Sequence, residues 1–231
     1  MTGTIVNAAA IGAGTAIGML LRKGIPENIK TTVMQGIGLA VLLVGGQMAL
    51  QGTHILVVIV SMTLGGICGE LLKIESRLEQ LGLLIERRIG GNGGNVAHAF
   101  VTSSLLFCVG AMAVVGSIED GLTGNAGTLY AKSMLDGVTS IFFASTMGIG
   151  VIFSALSVLL YQGTITLLAT SIKDILNSFV ICQLTSTGGL LIIGVAVNIL
   201  GIKKISVGNL LPSILIVIIL AYYVDKYSVL I

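Results

Sequence analysis

Charge is scarce in this chain. Asp, Glu, Lys and Arg make up 10% of its 231 residues, against about 25% in a soluble domain. The formal net charge is only +2, too small a basic excess to recruit nucleic acid. Tryptophan is absent, and proline is limited to Pro26 and Pro212. Histidine occurs twice, as His54 and His98, with no HExxH and no second ligand cluster, so no metal site or cofactor is expected. The cysteines Cys68, Cys108 and Cys182 lie in apolar stretches without a CxxC, the pattern of inert packing residues. No basic n-region precedes the first apolar run, which therefore reads as a retained span.

What is present is apolar. Hydrophobic residues make up 55% of the chain and the mean hydropathy is +1.05. The expected fold class is all-α: a polytopic integral membrane bundle over residues 1–231, with eight (or seven) spans and one interfacial helix. The 32 glycines, with so little proline, fit closely packed membrane helices. Ala10, Gly14 and Gly18 form a ridge at four-residue spacing in the first span, and Gly65 and Gly69 repeat that spacing in the third. Between the third and fourth spans, Glu70–Gly90 puts Leu71, Ile74, Leu78, Leu81 and Ile85 on one helical face, an amphipathic helix. It suits the membrane interface or pairing with a second copy. The GGNGGN that follows reads as a hinge rather than a phosphate loop.

One stretch, Asp136–Gly163, organises the rest. As a single helix it places Asp136, Thr139, Thr146, Gly150, Ser154, Ser157 and Tyr161 within an arc of about 80°. Its length of roughly 40 Å exceeds the ~30 Å hydrocarbon core. It must therefore tilt, protrude, or break near Gly148–Gly150. The stripe has two readings: a packing face between helices, or the wall of a solute path with Asp136 at its mouth. Interruptions at Gly148–Gly150 and near Thr185–Gly189 would offer helix ends to a ligand. Thr164–Leu184 is ambiguous, being long enough to span but carrying Lys173 and Asp174 at its midpoint, at about 2.5–3.5 kcal/mol each. If all segments span, the basic loops share the cytoplasmic side, and the Glu119–Asp120 loop and both termini lie outside. Similar basic turns at Arg22–Ile25 and Gly201–Lys204, with Gln35-Gly36 echoed by Asp136-Gly137, suggest a three-span unit used twice in inverted sense.

Several short runs carry a family resemblance: Gly3-Thr4-Ile5-Val6-Asn7, Val33 to Leu39, Gly148 to Ala155, Tyr161-Gln162-Gly163, Gly188-Gly189 and Gly208 to Pro212. Together they resemble the YdfK/YqgA-like family of bacterial multi-pass membrane proteins. The resemblance covers nearly the whole chain and implies a protein of the bacterial cytoplasmic membrane. It supplies no activity, substrate or catalytic residue.

The functional expectation is a small-solute or ion-coupled transporter or channel, not an enzyme. Its partners would be the lipid bilayer and a small polar solute or monovalent cation, with a homo-oligomer as a further expectation. Its pathway residues would be Asn7, Gln35, Asp136, Thr139, Thr146, Gly150, Ser154, Asn198 and Asn209. The competing expectation is a membrane scaffold or regulator that assembles through the glycine ridges and the 70–90 helix.

Overall fold

A computed structural model describes residues 1–22, 26–78, 80, 96–108, 111–173 and 175–228. Those residues are mostly helical, with no strand among them. The helices are α1 (Thr2–Arg22), α2 (Glu27–Ala49), α3 (Ile55–Leu72), α4 (Val96–Cys108), α5 (Ala111–Thr123) and α6 (Gly127–Met147). A 3₁₀ turn at Ile149–Ile152 follows, then α7 (Phe153–Leu167), α8 (Ala169–Ile172), α9 (Ser178–Ile199), α10 (Val207–Leu210) and α11 (Ser213–Ser228). Among the described residues, six stretches are long and apolar enough to cross a membrane, and α4 with α5, bent by 60°, would make a seventh.

The chain forms two compact units, each assembled from three separate stretches of the sequence. The first comprises Met1–Met34, Ser76–Cys108 and Met112–Thr170. The second comprises Gln35–Glu75, Val109–Ala111 and Ser171–Ile231.

In the first unit α1 is the central rod. Its buried residues, Gly3, Thr4, Asn7, Ala8, Ile11, Gly14, Thr15 and Gly18, recur at three- and four-residue steps and so form one face. Ile5, Ile17, Leu20 and Leu21 point away and are exposed, the side that apolar lipid would cover. Gly14 and Gly18 lie so close to α6 that a Cβ on either would strike the carbonyl oxygens of Gly137 and Ile141. The partners advance together along both helices, from Gly3 against Leu129 to Gly18 against Ala144. Thus α1 and α6 are parallel. The composition of α6 leaves it outside the six candidate spans, yet it packs along α1 from end to end.

The organising stretch is not one helix. Met147 ends α6, and Gly148 takes φ +93°, a backbone region that glycine enters at little cost. The chain then reverses, since α7 runs antiparallel to α1: Thr4 meets Thr166, and Asn7 meets Gln162. A side chain on Gly148 would strike the guanidinium of Arg22. That places a cation at the C-terminal ends of both α1 and α6, where the helix dipole favours it. The expected stripe is therefore divided between two passes of opposite direction. Thr164–Leu184, for which a buried span and two short pieces were the alternatives, is no single span but the end of α7, the short α8, a turn at Lys173 and the start of α9. The expected acidic loop 117–132 is mostly the end of α5 and the start of α6.

In the second unit the glycine ridge of α3 meets the α10–α11 region in the opposite sense. Gly65 touches the backbone of Ser213, and Gly69 that of Asn209. The expected break at Thr185–Gly189 is absent, for α9 continues through it. Gly189 is used for close approach, its Cα lying against Ala49 and Gly45 of α2. Side chains of α9 also tie down the turn after α2. Gln183 donates to Thr53 Oγ1 at 2.8 Å and accepts from the His54 N–H at 3.3 Å, while Ser186 donates to the Ala49 carbonyl. At the N-terminus of α9, Asn177 caps the Val180 N–H.

Candidate functional site

The buried face of α6 comprises Leu129, Lys132, Ser133, Asp136, Ser140, Phe143, Ala144 and Met147, with Ser145 beside it. Two charges on such a face need each other. Lys132 and Asp136 lie one turn apart, where side chains meet, and both are buried. Lys132 Nζ donates to Asp136 Oδ1 at 2.9 Å and to Oδ2 at 2.7 Å. From α1, Asn7 Nδ2 donates to the same Oδ2 at 3.0 Å, and it also reaches Gln162 Oε1 of α7 at 3.4 Å. An ion pair and two amides thus bind three helices together in the first unit. Toward the start of α1, Asp120 of α5 accepts from the Gly3 N–H at 3.2 Å and pairs with the Met1 ammonium at 2.9 Å. Thr4 and Thr166 are 3.5 Å apart between these two groups.

The hydroxyls of the stripe behave differently. Thr139 is half-exposed and donates to the Leu135 carbonyl, and Thr146 donates to the carbonyls of Phe142 and Phe143. Ser154 is fully buried and donates to the Val151 carbonyl at 2.6 Å. Each is satisfied by its own helix, which leaves it a compact packing residue. Ser157 is an exception, accepting from Ser104 of α4 at 3.0 Å. Gly150 is buried, and a Cβ there would strike the Val96 carbonyl.

The other expected residues belong to the second unit. Gln35 is exposed on α2. Asn198 closes the turn after α9, exchanging bonds with the Ile205 carbonyl and N–H at 2.8 and 2.7 Å. Asn209 donates to Glu70 Oε2 at 2.6 Å and accepts from the Glu75 N–H at 2.7 Å, while Glu75 accepts from the Gly208 N–H. The beginning of the expected amphipathic segment is thereby pinned beside α10. Its remainder, with GGNGGN, lies outside the described residues, as does Asp174.

Three members of the buried cluster, Lys132, Asp120 and Gln162, were not among the expected site residues. The four-residue step from Lys132 to Asp136 was the available signal. It was hidden by the reading of 117–132 as a loop. Among the described residues, no three His, Cys, Asp or Glu side chains gather to hold a metal ion.

Apolar helices of membrane length, joined at glycine contacts and crossed internally by a buried polar cluster, define a polytopic helical membrane protein. The chain belongs to the family described as "Protein of unknown function (DUF554)", which matches residues 2–222. It is 34% identical over 232 residues to "Uncharacterized membrane protein YdfK" of Bacillus subtilis (strain 168), with 99% of each chain covered. It is 28% identical over 219 residues to "Uncharacterized protein YqgA" of Escherichia coli (strain K12), with 93% of each covered. No solved structure matches.

Proposed function

We propose that this protein is a small-solute or ion-coupled transporter or channel of the bacterial cytoplasmic membrane, in which the buried cluster around Asp136 is the contact point for the cargo. One observation carries the reading. Lys132 and Asp136 form an ion pair inside an apolar bundle and are joined by Asn7 and Gln162. Packing alone does not call for such a group, because replacing a buried ion pair by well-packed apolar residues is often neutral or stabilising. Ionisable residues within membrane helices characteristically mark substrate and ion pathways. The reading is non-enzymatic, since the buried charges neutralise each other rather than activate a nucleophile.

Charge placement supports the cytoplasmic-membrane orientation. In the first unit Arg22 and the Gly148 reversal share one end, while Asp120 lies at the other. In the second unit Lys73 and the Lys203-Lys204 turn share an end, as the bonds from Glu70 and Glu75 to Asn209 and Gly208 require. The positive-inside rule turns each basic end to the cytoplasm. The relatives' bacterial sources agree. The glycine ridges do not favour a scaffold, because Gly14, Gly18, Gly65 and Gly69 are each consumed within their own unit.

The test is flux in proteoliposomes with a panel of neutral, zwitterionic and ionic solutes. Wild type should carry at least one, the paired variant Lys132→Met/Asp136→Leu should carry none, and Thr139→Val should match wild type. A folded paired variant with full flux would sink the proposal.

A further inference from the structure

The bond order in the buried cluster is dictated by charge. Asp136, paired with Lys132, can only accept, so Asn7 must turn its amide nitrogen toward it. That nitrogen is also the donor to Gln162 Oε1. Two atoms are then left over, Asn7 Oδ1 and Gln162 Nε2, each buried and without a partner. Both side chains are 0% exposed. The second bond that would close the amides into a reciprocal pair, from Gln162 Nε2 to Asn7 Oδ1, is not made. One open acceptor and one open donor remain on adjoining groups, sealed from solvent, where unmet hydrogen-bonding capacity is most costly.

We infer that Asn7 Oδ1 and Gln162 Nε2 form an occluded binding subsite for a neutral group that presents a donor and an acceptor together, the chemistry of a primary carboxamide. The inference deepens the transport reading and rests on it, for it names the class of solute carried. Charge balance argues for neutrality. Lys132 and Asp136 cancel, so an ion added here would bring uncompensated charge into a low-dielectric interior. Donor chemistry argues the same way. A cation at Asn7 Oδ1 would share the cluster with an open donor, Gln162 Nε2, whereas a potassium or sodium ion is held by a shell of oxygens. An anion at Gln162 Nε2 would enter a cluster that already holds the Asp136 carboxylate, bonded to the same Asn7 amide nitrogen as Gln162. A carboxamide meets both demands, its N–H donating to Asn7 and its carbonyl accepting from Gln162.

The test uses the full chain in detergent, following the thermal unfolding midpoint against acetamide, with acetate, ammonium, sodium and potassium as charged counterparts. Acetamide should raise the midpoint saturably, and the charged probes should not. In Gln162→Leu the apparent Kd should weaken at least about tenfold, the worth of one hydrogen bond. Should that variant fail to fold, Gln162→Met makes the same comparison, keeping the length of the side chain and removing the open N–H. A flat midpoint would mean that the two atoms hold an internal water only, and would overturn the subsite. Saturation by acetate or a cation, or an unchanged response in the variant, would overturn it as well. Flux separates this outcome from the broader reading. Acetamide binding without transport of any solute retains the subsite and ends the carrier, whereas transport of an ion without acetamide binding does the reverse.

Discussion

Lys132 Nζ lies 2.7 Å from Asp136 Oδ2, one turn apart on the buried face of α6. Neither charge has bulk water to return to, so each is the other's principal solvent. Removing one partner strands the other, at a cost of about 3–5 kcal/mol, whereas removing both can be nearly neutral. Lys132→Met and Asp136→Leu should each lower stability strongly, and the double replacement Lys132→Met/Asp136→Leu should recover most of it. A double-mutant cycle by reversible unfolding in detergent measures the difference. Additive losses would show that the pair does not act as a unit.

The contact of α1 with α6 predicts a sharp contrast between neighbouring glycines. Gly14→Ala places a methyl against the Gly137 carbonyl and should cost about 1–3 kcal/mol through forced separation of the helices. Gly12→Ala meets nothing within 4 Å and should be silent or slightly stabilising. Thermal midpoints of the two purified variants decide it.

The reversal at Gly148 predicts that Gly148→Ala loses about 1–3 kcal/mol, because φ +93° with ψ −160° is a region essentially confined to glycine. Relieving the collision with Arg22 should not restore the loss. The variant Arg22→Ala/Gly148→Ala should therefore unfold no later than Gly148→Ala alone.

The direction of α7 can be read by cross-linking. Ser104 and Ser157 are joined oxygen to oxygen at 3.0 Å. In a background with Cys68, Cys108 and Cys182 replaced by Ala, Ser104→Cys/Ser157→Cys should form a disulfide under mild oxidation. A pair at the half-exposed Thr139 and Ser104 should not. Mobility on non-reducing gels reports both.

Much of this arrangement could be read from residue types. The membrane class, the Gly14/Gly18 and Gly65/Gly69 contacts, and the polar importance of Asn7 and Asp136 all follow from local pattern. A break near Gly148–Gly150 was one of the three outcomes that length allowed, but the reversal of direction there was not legible, because hydropathy cannot distinguish a tilted long helix from two shorter passes. The same ambiguity acted oppositely at Gly188-Gly189, where glycine serves helix approach rather than a break. Lys132 was missed because it looks solvated beside Glu119 and Asp120. Only the fold turns it inward. Gln162 was missed because an amide at the end of an apolar run signals nothing until Asn7 arrives from 155 residues away.

That distance has a bearing on biogenesis. Asn7 is separated from Asp136 by 129 residues. At a synthesis rate of about 5–20 residues per second, the first helix is made roughly 6–26 s before its parallel neighbour. Throughout that interval its amide and its bare glycine flank have no mate from the same unit. The nascent chain must therefore be held in register by the insertion machinery, or by provisional contacts later exchanged, until the middle of the message is translated.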